Sequence, residues 1–532
     1  MAEWEIPEKS DLTEYLSSLT QKPEPFIRAL FIRGYDNFKK ISEFLNPTLE
    51  FANLFEKFAE VEKLLPLLDK FAQKKGKCFV PSTLEGIFSG IVLKNALGLP
   101  SDSLKLAQTN EISFEIDGQE FSFLKEKFIL NTFTLCIFHI LAQIGNFNEI
   151  KIACDIETTG FSPGTNEIIE IGGVKFQGFK ILDSFSKLIK PEGGIPPQIT
   201  QLTGLRDSDF LDTEPREKVL RDFFDWVDSH TLVFHNADFD LSFLNFEIAR
   251  FLGKKLNNKI IDTLKISRVK LPFQSHKLEA LKDLFKIEGL SHRAYDDAVT
   301  CMKIYNILTY LENPKLKIFM EENLPVVALG ILCENYALVD EARWIVREGT
   351  TLFKKTHLPF LKVALKELKL ETCDADEILA ILKPFLNELS PLEVYSLLLQ
   401  KSKSNVKGFF REKQNLQKLV LKKETKQQPL KIDFIWDEWF EKNFPAVYET
   451  LKPFGAENPH LKVLLENVEK ISSTKEKNFF IIQFKKNGEI FNILSDKEIQ
   501  DGIYDIVFHI EKIRGKFYFL LERFAQKEVK DV

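Results

Sequence analysis

The sequence is short of the features that mark secreted, zinc-bound and membrane-spanning proteins. Six cysteines are spread over 532 residues, at Cys78, Cys136, Cys154, Cys301, Cys333 and Cys373, with no CxxC pair and no Cys/His cluster at zinc spacing. That pattern excludes a disulfide framework and predicts buried free thiols in a reducing compartment. No apolar run reaches the length that spans a bilayer, and the opening residues MAEWEIPEKSDL hold no apolar signal region. The expectation is a soluble, cytoplasmic protein with no membrane partner. An overall basic charge is missing too, since 72 Lys and Arg stand against 78 Asp and Glu, for a net charge of −6. Any path for a polyanion must therefore be local.

Phenylalanine is abundant, with 49 copies. Most are interleaved with Ile and Leu, which reads as core packing rather than a platform for stacking bases. At this length a single core is excluded, and the chain should divide into three or four domains.

The informative chemistry lies between Ile152 and Tyr305. Ile152, Ala153 and Cys154 read as a short buried strand, with Asp155 and Glu157 following at its end. The period-2 pleat puts both carboxylates on one face, where they repel unless a cation or proton lies between them. Magnesium suits such oxygen-only sites. Downstream, the strand Leu232 to Phe234 precedes HNADFD, which places Asp240 near the start of a helix. SHRAYDDAV then gives His292 and, entering another helix, Asp297. Neither Asp238, in the variable slot of HNADFD, nor Asp296, which points about 100° away from Asp297 on a helix, is assigned to a metal.

These three motifs, in this order, resemble the DnaQ-like (DEDDh) family of 3′→5′ exonucleases over about 155 residues. The resemblance implies two divalent metal ions, Mg2+ or Mn2+, held by Asp155, Glu157, Asp240 and Asp297. Asp155 would bridge the metals, Glu157 and Asp297 complete the first site, and Asp240 support the second. His292 would take the proton from the attacking water, as an imidazole titrating near neutrality does. Thr158, Thr159 and Gly160 would meet the terminal nucleotide. Thr203 and Gly204, in ITQLTGLRDSDF, would lie in the loop that holds the 3′ end, with His235 and Asn236 as further substrate contacts.

The flanks carry a second resemblance. Residues 1–148 contain an RG followed by an FLNP stop, a helix from Phe55 to Lys74, and the strand, loop and helix of KCFVPSTLEGIFSGIVLKNALG. FEIDGQEFSF reads as a strand pair around an Asp-Gly turn, ahead of an apolar helix from Phe128 to Gln143, on which His139 reads as a core histidine. The opening tryptophan, the RG with its FLNP stop and the strand, loop and helix resemble, in this order, the amino-terminal part of RecJ, a single-strand-specific exonuclease of the DHH phosphoesterase family; FEIDGQEFSF and the helix after it read as residual sheet and an adaptor helix. The aspartates of that family are replaced here by Pro81, Ser82, Thr83, Leu84 and Glu85, and no Asp-His-His follows anywhere. Hydroxyls and one glutamate do not replace a carboxylate cluster for a hard ion.

The RecJ-like pattern resumes in Asn323 to Phe353 and Ile381 to Leu399, without a Gly-Gly-His segment. A run from Lys401 to Lys431 holds nine Lys and one Arg against two Glu, a local excess of +8, which suits either a solvated helix face or a DNA-backbone contact. LKPFGAENPHL (Leu451 to Leu461) then resembles the approach to an oligonucleotide-binding barrel. NFFIIQF, EIFNIL, YDIVFHIEKI and KFYFLLERF suit a small five-stranded barrel. Phe479, Phe480, Phe491, Phe517 and Tyr518 are aromatics available to such a barrel.

The expected fold is therefore an α/β multidomain protein. A ribonuclease H-like exonuclease domain, a mixed sheet flanked by helices, occupies 149–312 between RecJ-like segments at 1–148 and 313–430, and an OB-like barrel occupies 431–532. The expected activity is hydrolysis of single-stranded DNA from its 3′ end, in repair, recombination or replication proofreading. DNA 3′ ends, a DNA polymerase or repair proteins would be the partners. A 3′→5′ exoribonuclease and a non-catalytic nucleic-acid-binding subunit are the alternatives.

Overall fold

The structure is a computed structural model. It describes the chain apart from residues 1–3, 6–7, 46–61, 75, 110, 117–118, 125–127, 145–146, 272–274, 286, 288, 290–291, 311–312, 335, 339, 356–357, 369–374, 401, 413–429, 455–457, 477–478, 514 and 528–532. Two compact units result, one from Met1–Leu49, Lys75–Phe133 and Met320–Val532, the other from Glu50–Lys74 and Thr134–Phe319.

The second unit is built on a five-stranded mixed sheet. Its strands are β1 (Ile150–Thr158), β2 (Ile168–Gln177), β3 (Lys180–Leu188), β4 (Thr231–Phe234) and β5 (Ile260–Asp262). They lie in the order β5-β4-β1-β2-β3, with β1 parallel to β4 and antiparallel to β2. The central position explains the run Ile152–Cys154, which is buried on both faces. β1 is longer than the sequence implies, because its pairing with β2 continues to Thr158. Asp155 and Glu157 thus sit within the strand rather than beyond it.

Helices cover both faces. They are α1 (Pro197–Thr203), α2 (Arg216–Val227), α3 (Ala237–Leu252), α4 (Thr263–Lys270), α5 (Leu278–Leu284) and α6 (Ala294–Tyr310). In α2, Val219, Leu220, Phe223 and Val227 recur at helical spacing and join Ile152, Cys154, Ile156 and Phe234 in one core. Two adjacent glycines on β2 separate the faces. A Cβ on Gly173 would meet the Trp226 ring of α2 at 2.9 Å, whereas one on Gly172 would lie 2.1 Å from the Ala294 carbonyl carbon of α6. Since neighbouring strand residues point oppositely, α2 and α6 flank the sheet from opposite sides. Asp155 opposes Gly172, and Glu157 opposes Glu170, so both acids share the face of α6.

In the other unit, Lys77–Pro81 runs parallel to Leu104–Ala107 and antiparallel to Ile112–Ile116, which pairs with Gln119–Leu124. The Asp-Gly turn between the last two lies outside the described residues. Two helices, Glu24–Ile32 and Phe38–Leu45, flank the RG pair, with Gly34 at φ +95° between them. Of the helix expected from Phe55 to Lys74, Leu65–Lys74 is α-helical, after a 3₁₀ turn at Glu62–Leu64; residues 55–61 lie outside the described residues. The expected Phe128–Gln143 helix spans Phe128–Ala142. The basic run is described only as far as helix Lys403–Glu412 and from Leu430 onward; residues 413–429, and Cys373, lie outside.

The C-terminal region closes a five-stranded barrel from β6 (Leu461–Lys475), β7 (Phe480–Lys486), β8 (Glu489–Ser495), β9 (Ile503–Ile513) and β10 (Lys516–Gln526). Closure comes from β6 pairing with both β7 and β9. Phe491 is buried in the barrel core, and Phe480 and Phe517 pack against it. Of the five aromatics singled out above, only Phe479 and Tyr518 are half-buried outside that core.

Candidate active site

β1 outruns its neighbour. It pairs with β4 only through Lys151–Ala153, which leaves Asp155 beside the first turn of α3. Asn236 caps that helix in a left-handed conformation, φ +76°, and its amide donates to Asp262 Oδ1 at 3.2 Å. Asp262 also caps α4 through the Leu264 amide, at 2.9 Å. This anchoring fixes the turn that carries Asp240, which is 3% exposed.

The third contribution comes from α6. Its first turn presents Asp297, 7% exposed, while Asp296 next to it is half-buried. Asp238 points out, with a side chain 79% exposed and 3.0 Å from Lys265 Nζ. His292 adopts φ +62°, and its amide donates to Asp297 Oδ2 at 2.9 Å. Ligand-type atoms of Glu157, His292 and Asp297 all lie within 4.8 Å of one another.

The electrostatics record the crowding. Burial pushes Asp155 well above the carboxylate range, reinforced by Asp240, Glu157 and Asp297. Asp240 is raised for the same first reason, against hydrogen bonds from its own and the Ile156 amides. Glu157 is pushed up to about 8 by burial, then by Asp297 and Glu170, with Arg293 pulling the other way. Asp297 rises to about 6 through burial, opposed by the His292 amide and imidazole. The structure therefore brings together the four acids and the imidazole singled out from sequence.

The proposed substrate contacts are more internally engaged. The Thr158 hydroxyl donates to Gly160 O at 2.6 Å, and the Thr159 hydroxyl accepts from Glu167 N at 2.9 Å. Gly160 lets Asn166 approach, since a Cβ there would lie 2.5 Å from its Nδ2. Thr203 ends α1 rather than sitting in a loop, its hydroxyl donating to Ile199 O at 2.8 Å, and Gly204 is the left-handed cap at φ +74°. Both ring nitrogens of His235 are used, Nδ1 with Thr263 Oγ1 and Nε2 with His276 O, each at 2.8 Å. Sequence reasoning passed over three groups beside the site: Glu170, Arg293 and Glu279, whose Oε1 is 2.8 Å from His292 Nε2. Glu170 was legible only through the pairing of β1 with β2.

A profile of the family described as Exonuclease matches residues 152–305. A DNA polymerase III subunit epsilon from Treponema pallidum is 35% identical over 161 residues, which are 29% of this chain and 74% of that protein. Through this segment the chain belongs to the exonuclease family. A PolC-type DNA polymerase III from Caldanaerobacter subterraneus subsp. tengcongensis is 38% identical over 175 residues, 32% of this chain, and the chain spans 12% of its length. RecJ from Thermus thermophilus, solved with Mn2+, matches 99% of this chain and 80% of that one, at 8% identity and a TM-score of 0.47.

The exonuclease segment has a donor set that fits hard divalent ions. Four carboxylates whose charged forms are all disfavoured by burial and mutual repulsion are the counterpart of a cation that would reverse both effects. Cys154 points from the other face of β1 into the core it shares with α2, and the Cys301 sulfur lies 3.8 Å from the Thr263 hydroxyl.

Proposed function

We propose that this chain is a divalent-metal-dependent 3′→5′ exonuclease that hydrolyses single-stranded DNA to nucleoside monophosphates. One observation carries the reading: acids from β1, α3 and α6 and an imidazole, far apart in sequence, come close enough to act on one another. Asp155, Glu157, Asp240 and Asp297 would hold two ions, Mg2+ or Mn2+. Bound there, the ions would supply an activated water and stabilisation of the departing 3′ oxygen. His292, within reach of Glu157 and Asp297, is the group placed to accept a proton from an attacking water. The turn Thr158–Gly160, stiffened by its internal hydrogen bonds, offers main chain to the terminal nucleotide. Thr203, Gly204, His235 and Asn236 shape its surroundings rather than presenting free polar groups.

The remaining chain supports a role in DNA capture. The sequence resemblance of the flanks supports reading them as a RecJ-like frame, with proposed domains at 1–148, 149–312, 313–430 and 431–532. The loop Pro81–Glu85, where such a frame would carry its phosphoesterase acids, has other engagements. Thr83 caps a helix through Gly86 N at 3.1 Å, and Glu85 accepts from Ile129 N at 3.2 Å and from the Tyr336 hydroxyl. The closed barrel, read as OB-like, and the basic run would hold the single strand. Likeness to subunit epsilon and PolC-type polymerases favours a polymerase partner and proofreading.

Polarity mapping tests the reading. With magnesium and end-labelled single strands, blocking the 3′ end stops digestion and blocking the 5′ end does not; the opposite result refutes it. Faster digestion of a matched RNA strand would transfer the assignment to an exoribonuclease.

A further inference from the structure

We propose that Glu170 and Arg293 are a positioning pair that clamps the His292 turn onto the sheet carrying Asp155 and Glu157. The inference rests on the role given to His292 above. Glu170 stands on β2 directly across from Glu157 and is 1% exposed. A carboxylate at that depth requires partners. Its Oε1 accepts from Arg293 Nη2 at 2.9 Å, and its Oε2 from Arg293 Nε at 3.1 Å and from the Ala294 amide at 3.3 Å. All three donors belong to the two residues that follow His292.

The side-on fork matches both carboxylate oxygens at once, which an ammonium cannot do. Gly172, two residues along the same face of β2, adds the close approach of the Ala294 main chain. On the far side of the turn, Asp297 accepts the His292 amide. His292 therefore hangs between two anchors, in a left-handed conformation that a non-glycine residue keeps only when its surroundings impose it. Glu170 is not itself offered to a metal, since both its oxygens are engaged. Among the described residues, the group that meets the geometry for holding an ion is Glu157, His292 and Asp297.

A purely structural ion pair would predict something different, and the full-length chain distinguishes the two. The variants are Glu170→Gln, Arg293→Lys, Arg293→Met and the double Glu170→Gln/Arg293→Met, beside the parent and Asp155→Ala. Steady-state kinetics on a 3′-labelled single-stranded oligodeoxynucleotide with magnesium, the thermal midpoint, and amide hydrogen exchange over residues 292–297 are measured. Glu170→Gln and Arg293→Met should each lower kcat about 10–100-fold while KM changes less than about threefold. Arg293→Lys should recover part of that loss. Exchange over 292–297 should accelerate at least about tenfold, with the amides of β1 unchanged. In the double variant the midpoint should return, because no charge is left unpaired, while kcat should not.

Singles with kcat near the parent's, or a kcat that returns with the midpoint in the double variant, overturn the proposal. Unchanged exchange over 292–297 overturns it independently of any activity. A parent without magnesium-dependent digestion, or one that Asp155→Ala leaves equally active, defeats the functional reading instead; the exchange measurement then decides the clamp alone.

Discussion

Burial and mutual repulsion disfavour the charged forms of the site's acids, and that has consequences for single residues. Glu157 is raised to about 8 and Asp297 to about 6. For an acid, a folded-state value above the unfolded one means that the folded form binds more protons between the two. Stability contributed by the protonated groups is complete below about pH 4 and disappears as pH rises through those folded values. Without divalent metal, the melting temperature of the exonuclease unit should thus fall between about pH 5 and pH 8. Added magnesium should restore more at the upper end than at the lower, which thermal scans with and without chelator will read. Asp155→Asn removes one of the repelling charges while keeping the shape. It should raise the metal-free melting temperature and still reduce digestion of a labelled oligonucleotide at least about 100-fold, the upper end for losses of mere outer partners of a metal. The acids and His292 were legible in the sequence because carboxylate chemistry imposes residue types at fixed local spacings. Glu170 and Arg293 were not, since 123 residues separate them and only strand pairing reveals their neighbourhood.

At the scale of elements, fit between backbones decides more than propensity. In Gly172→Ala the new Cβ would meet main chain on α6 rather than a side chain that can swing away. The change should destabilise by about 1–3 kcal/mol or more and displace Asp297 and His292 together. Urea denaturation and kcat will show both losses. Arg216 plays a different part. It contacts Glu247 at 2.6 Å and Glu167 at 3.1 Å, and the Glu247 side chain is 5% exposed. Arg216→Met strands that carboxylate and should cost about 3–5 kcal/mol in the same assay. Elements with clean patterning, such as the Phe128–Ala142 helix and the β7–β8 hairpin, could be read from sequence. β6 could not, although at 15 residues it is the longest strand described. Leu464 packs outside the barrel against Ile432 and Val507 while Leu465 and Val463 point inside. Asn467, at φ +57° in a break of register, erases what alternation remains.

Long-range contacts that sequence does not advertise hold the unit that contains the barrel. Arg343, 2% exposed, donates to the carbonyls of Phe44, Leu451, Lys452 and Pro453 at 2.6–3.3 Å, with its guanidinium 3.7 Å from the Phe44 ring centroid. It joins three distant stretches of one unit, and burial pulls its pKa down to about 9. Arg343→Met should speed amide exchange across Glu24–Leu45 and Glu438–Leu451 by about tenfold or more while leaving β1–β5 unchanged. The chain-level division was only partly foreseeable, because both units are assembled from separated segments. The barrel and the mixed sheet also differ in how they end. The barrel is closed, so its strands have no open rim. In the mixed sheet, β3 pairs only with β2 among the described strands, and Ile181 and Leu182 are about 40% exposed there. Lys180, Asp183 and Lys187 punctuate that border with charge, as edge strands that resist self-templating do. Neutralising them should turn a soluble rim into a seed for aggregation, visible as light scattering on storage, with the barrel contributing nothing to it.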